Sequence, residues 1–106
     1  MSGRTLRAVA TTAERLQEAR AKADSALALV TGDQGASPVL IAVVSEFAKK
    51  AEKATATGDE RIAVVELEQA GDSAKAAVEA DTGVAAVTRQ AVLDAHLAIC
   101  IAKAQL

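Results

Sequence analysis

Aromatic residues are nearly missing from this chain: Phe47 stands alone, with no Trp or Tyr among 106 residues. Without rings on which bases can stack, single-stranded nucleic acid has no platform. Histidine and cysteine occur once each, as His96 and Cys100. A lone cysteine cannot close an intramolecular disulfide, which suits a reducing compartment, so a cytoplasmic protein is expected. A lone histidine cannot supply the paired Glu-x-x-His motifs of a di-iron bundle, and a structural zinc site would need carboxylates for two of its four ligands. No GxGxxG or GxxxxGK loop is present to cradle phosphate, and no glycine elbow precedes a serine to make a nucleophile. No apolar run approaches the ~18 residues of a membrane span, and MSGRTLRAVATTAERLQEAR holds no uninterrupted apolar core of a signal peptide. Neither catalytic residues nor a cofactor nor a metal site is expected, and the protein reads as a non-enzyme.

What the chain does have is alanine. Hydrophobic residues make up 51% of it, but alanine is the commonest, and each buried CH2 contributes only roughly 0.8 kcal/mol. A domain of this length buries about two thirds of its unfolded surface, so an alanine-rich core requires close helix approach or a partner surface. Charges nearly cancel, 12 Lys and Arg against 14 Asp and Glu, and no global field draws in nucleic acid or an anionic membrane.

The apolar residues are spaced for helices. From Thr5, Leu6, Val9, Ala13, Leu16, Ala23, Leu27 and Val30 recur three and four apart and predict a first helix over about 5–30. Arg20 falls where that stripe asks for an apolar residue, so either its stem packs while the guanidinium reaches water or it is a paired, partly buried ion. TGDQGAS, Thr31 to Ser37, is a loop. Ser37 followed by Pro38 is a cap followed by a first-turn proline, opening a second helix over 38–57. Its β-branched start, Val39 to Val44, also suits a strand; the length of the stripe through Leu40, Val44, Phe47, Ala51 and Ala54 decides for a helix. Gly58 and Asp59 read as a left-handed stop and a new N-cap, giving a third helix over 60–80. It continues through Gly71, straight or kinked, because Ala63, Leu67, Ala70, Ala74 and Ala77 keep one face. After Asp81-Thr82-Gly83 a fourth helix covers 84–106. TGDQ at Thr31 and TGDE at Thr57 look alike, but the residues after them differ, so no internal repeat is expected.

Four such helices joined by mostly short loops predict an all-α fold, an antiparallel four-helix up-down bundle forming a single domain. The last helix is apolar on more faces than three neighbours can cover. Leu93, Leu97, Cys100, Ile101 and Ala104 are therefore candidate interface residues, and the expected partner is a second copy of the chain, as a homodimer or larger assembly, with another protein as a further binder. If the first and fourth helices run antiparallel with Val30 level with Val84, Arg20 meets Asp94, a candidate buried ion pair.

His96 and Cys100 are four apart on one helical face, the spacing from which a thiolate is activated or a metal site begun. The plainer reading gives Cys100 to packing and His96 to the interface flank. Three functions are expected, in order: a self-associating, non-catalytic interaction module; a thiol- or metal-dependent regulator built on His96 and Cys100; and weak duplex binding by the first helix, which carries Arg4, Arg7, Arg15 and Lys22 but is interleaved with Glu14 and Glu18.

Overall fold

Side-chain caps decide where the first three helices begin. The computed structural model describes residues 10–106, and among these α1 spans Thr12–Gly32, α2 Pro38–Ala56, α3 Glu60–Ala80 and α4 Ala86–Ala104. The first helix was expected from Thr5, but Thr11 is extended and closes a reciprocal capping box: its hydroxyl accepts the Glu14 N–H at 3.1 Å and its own N–H donates to Glu14 Oε1 at 2.8 Å. Ala10 and Thr11 thus lie outside the helix, and Leu6, Val9, Arg4 and Arg7 lie outside the described residues. Ser37 caps α2 through the Leu40 N–H at 3.1 Å, and Asp59 caps α3 through the Ile62 N–H at 3.1 Å. Gly58 does not take the left-handed conformation expected of it, since no described glycine has a positive φ; Thr57, in extended backbone, ends α2 instead.

Each helix buries one stripe. On α1 it runs Leu16, Ala19, Ala23, Ala26, Val30, spaced three and four apart without a gap. Ala19 fills the position assigned to Arg20 from the sequence, while Ala13 is exposed. The buried residues of all four helices form one hydrophobic core, with Phe47 its largest member. α3 runs unbroken through the buried Gly71. The helices pack in chain order, α1 on α2, α2 on α3 and α3 on α4, and α1 also packs along α4, while α1 and α3 barely touch.

The chain repeats itself, contrary to the expectation from its sequence. A shift of 48 residues, the separation of Thr12 from Glu60, carries α1 onto α3 and α2 onto α4 end for end: Gly32 falls on Ala80, Pro38 on Ala86 and Ala56 on Ala104. The five buried positions of α1 fall on Val64, Leu67, Gly71, Ala74 and Val78. Likewise Leu40, Val44, Phe47, Ala51 and Ala54 of α2 fall on Thr88, Val92, Ala95, Ile99 and Ala102, every one of them buried. Identities cluster at the end of the first helix of each pair, where Asp24-Ser25-Ala26, Ala28, Val30, Asp33 and Gly35 recur as Asp72-Ser73-Ala74, Ala76, Val78, Asp81 and Gly83. The likeness of TGDQ to TGDE conceals this by matching the α1–α2 loop to the α2–α3 connector. Its structural counterpart is Glu79-Ala80-Asp81-Thr82.

The repeat extends to hydrogen bonds between the two loops. Asp33 accepts the Gly35 N–H at 2.9 Å in its own loop and the Ala85 N–H at 2.9 Å across the gap. Asp81 accepts the Gly83 N–H at 3.1 Å and, reciprocally, the Ser37 N–H at 2.7 Å. Glycine is required where these loops cross, because a Cβ on Gly35 would overlap the Gly83 carbonyl and one on Gly83 would lie 2.8 Å from the Gly35 carbonyl oxygen.

Candidate functional site

The internal repeat supplies a control for every surface position, since each residue of α4 has a counterpart on α2 in the same place of the same fold. On the outward side of α2 these are Ser45, Lys49, Glu52 and Lys53, as a solvated helix face requires. The same four positions on α4 hold Leu93, Leu97, Cys100 and Ile101. Leu97 is 56% exposed and Ile101 40%; Ala104 is also exposed. Leu93 is half-buried and rests on the edge of the core, and Cys100 is half-buried. Of the five interface candidates, Leu97, Ile101 and Ala104 thus form an exposed ridge, flanked by Leu93 and Cys100.

Polar groups border the ridge on both sides. Toward α1, Leu97 and Ile101 line a shallow groove with Arg15, Glu18, Lys22 and Asp94. Asp94 accepts a hydrogen bond from Gln90 of its own helix at 2.9 Å. Arg20, the partner expected for it, lies on the other side of α1. There its guanidinium donates to the Thr55 hydroxyl at 3.2 Å and stands 3.7 Å from Glu52 on α2. The axial register placing α1 against Asp94 was close, but Lys22 and Glu18 occupy that side because Ala19, not Arg20, carries the stripe inward. At 37% side-chain exposure, the Arg20 pair is a surface interaction worth under about 1 kcal/mol.

Toward α3 the border is a cluster around His96. The histidine is 17% exposed and places Nε2 2.8 Å from Asp72 Oδ1. A carboxylate can only accept, so Nε2 carries the proton and donates. Cys100 Sγ lies 3.7 Å from that same Nε2 and 3.9 Å from Nδ1. The nitrogen nearest the thiol is therefore already committed to Asp72. Burial, followed by the charges of Glu68 and Asp72, pushes the Cys100 thiol above its ordinary pKa, outweighing Lys103 and Lys75. A nucleophilic or switching thiolate needs the opposite. Lys103 donates to Glu68 at 2.9 Å; this contact is the counterpart of Thr55 with Arg20 in the other helix pair, with the charge moved from the first helix's cation to the second's. Among the described residues no group of three or more His, Cys, Asp or Glu side chains is placed to hold a metal ion, and no described helix is long and apolar enough to cross a membrane.

Sequence reasoning finds the residues of the ridge but not what makes it unusual. The signal is present: setting the chain against itself at an offset of 48 places Lys49 opposite Leu97 and Lys53 opposite Ile101. No protein-family model, curated protein or solved structure matches the chain.

Proposed function

We propose that the protein is a non-catalytic helical interaction module, an antiparallel up-down four-helix bundle that associates with a second copy of itself through the outer face of α4. One observation carries this reading: in two helices that hold equivalent places in the repeat, the solvated positions Ser45, Lys49, Glu52 and Lys53 of α2 become Leu93, Leu97, Cys100 and Ile101 on α4. Water around an exposed apolar ridge is unfavourable, and the fold does not require the ridge, because α2 does without it. Covering it requires another surface. The same chemistry serves a second protein carrying an apolar helix face. The single thiol suits the cytoplasm. Cys100 belongs to packing in this reading, in line with its raised pKa.

The test borrows the residues of the sister helix. Leu97→Lys with Ile101→Lys places on α4 what α2 already tolerates, so helicity and thermal stability should be retained. Light scattering at micromolar concentration should give twice the chain mass for the native protein and the single-chain mass for the variant. A native protein of single-chain mass at that concentration sinks the reading.

A further inference from the structure

We infer that the chain also pairs with a second copy by exchanging helix pairs, α1–α2 of one protomer packing on α3–α4 of its partner through the contacts that otherwise join them within one chain. Those contacts are the two helix seams, α1 on α4 and α2 on α3, and the reciprocal bonds of Asp33 to Ala85 and Asp81 to Ser37. Every one of them lies between the helix pairs, and none depends on the pairs belonging to one chain.

The covalent link that keeps them in one chain is Thr57-Gly58-Asp59. All three residues are exposed. The hydrogen bonds here are local, Asp59 N–H to the Thr57 hydroxyl at 3.4 Å and Ile62 N–H to Asp59 at 3.1 Å. A Cβ on Gly58 would meet nothing within 4 Å, and no positive φ holds the turn. The other two connections grip each other across the bundle; this one grips nothing. A short connector of this kind is where exchange occurs at low cost, because the native contacts are all regained.

The repeat contains an equivalent junction that closes without such a link. Gln105 and Ala10 stand where Thr57 and Gly58 stand one repeat away, and there the end of α4 meets Ala10, just ahead of the α1 cap, with no peptide bond between them. Gln105 Nε2 donates to the Ala10 carbonyl at 2.8 Å, and Arg15 Nε donates to Gln105 Oε1 at 3.0 Å. One of two equivalent junctions is thus already held by side chains alone. The core also decides which pairs combine. Gly71 leaves room for Phe47, whose Cζ would lie 3.4 Å from a Cβ there; the counterparts of this couple are Ala23 and Ala95. Joining two α1–α2 pairs would set Phe47 against the Ala23 methyl twice, and joining two α3–α4 pairs would leave Ala95 over Gly71 twice. Unlike pairs set Phe47 against Gly71 as the core within one chain does, so exchange is the pairing that regains every native contact.

The experiment uses the full chain carrying Leu97→Lys and Ile101→Lys, which removes association through α4 and separates this inference from the proposed function. After refolding from urea at high concentration, a fraction with the mass of two chains is expected, dissociating slowly on dilution. Inserting about six Gly and Ser residues between Thr57 and Gly58 gives the connector slack to fold back within one chain and should abolish that fraction. Replacing Thr57, Gly58 and Asp59 by Ala favours a continuous α2–α3 helix and should raise it several-fold. Single-chain mass for the native connector after such refolding overturns the inference, and so does a two-chain fraction that survives the insertion. Both of these outcomes are read on the native and lengthened connectors, so they stand even if the alanine variant does not fold.

Discussion

Gly71 shows how one missing methyl group is used. Glycine within a helix costs about 1 kcal/mol relative to alanine, and at Ala23, the same place in the first pair, the chain has alanine. At Gly71 a Cβ would stand 3.3 Å from Ile99 Cγ2, 3.4 Å from Phe47 Cζ and 3.5 Å from His96 Cδ2. The first two neighbours are fully buried and have little room to retreat, and overpacking of this kind typically costs about 1–3 kcal/mol. The steric cost should exceed the gain in helix propensity, so Gly71→Ala is expected to destabilise by about 1 kcal/mol in urea unfolding. Combined with Phe47→Leu, it should cost less than the two changes added separately. Strict additivity would mean that Gly71 makes no room for the ring. From sequence Gly71 is legible as a glycine inside a continuous helix, but the side chains that exploit the space it leaves come from α2 and α4, which no local pattern reveals.

Among the helices, α4 alone starts without a side-chain cap. Ala85 occupies the N-cap with φ −68° and ψ 155°, nearly the backbone of its counterpart Ser37 at φ −72° and ψ 156°. Ser37 accepts the Leu40 N–H at 3.1 Å; Ala85 offers the Thr88 N–H nothing. Ala85 is exposed, so Ala85→Ser adds a hydroxyl without displacing packing. The gain expected is about 0.5–1 kcal/mol, read as a raised urea midpoint with unchanged slope. No gain would mean that Asp33, which already accepts the Ala85 N–H, satisfies this helix start by itself. At this scale the sequence is informative. Helix number, the Ser37-Pro38 start, the Asp59 cap and continuity through Gly71 are all legible in local chemistry. Two features are not. A helical stripe fixes which residues face inward only to within one position, which is why Arg20 stands in the sequence pattern where Ala19 stands in the core. The repeat is hidden because the identities gather in one short segment while the core positions change size, Ala19 to Leu67 and Phe47 to Ala95.

For the molecule as a whole, these changes of size are what make the two helix pairs complementary rather than interchangeable, and the crossed aspartates fasten them at one end. Their titration links the fold to pH. Hydrogen bonds from the Thr88 hydroxyl and from the Ala85 and Gly35 backbones hold the Asp33 carboxyl below its ordinary value of 3.8. The Ser37 backbone N–H does most to lower Asp81, while burial and neighbouring Asp33 oppose it. A carboxylate with a depressed pKa in the folded state binds protons less readily than in the unfolded chain. Its contribution is therefore fully present above the unfolded value and is lost as pH falls through the folded one. The urea midpoint should hold steady down to about pH 5 and then decline progressively below about pH 4. Asp33→Asn with Asp81→Asn keeps the shape and removes both charges. That variant should start from a lower midpoint at neutral pH and lose less of it in acid. Parallel acid curves for the two proteins would place the pH dependence elsewhere and leave the loop crossing a matter of glycine packing alone.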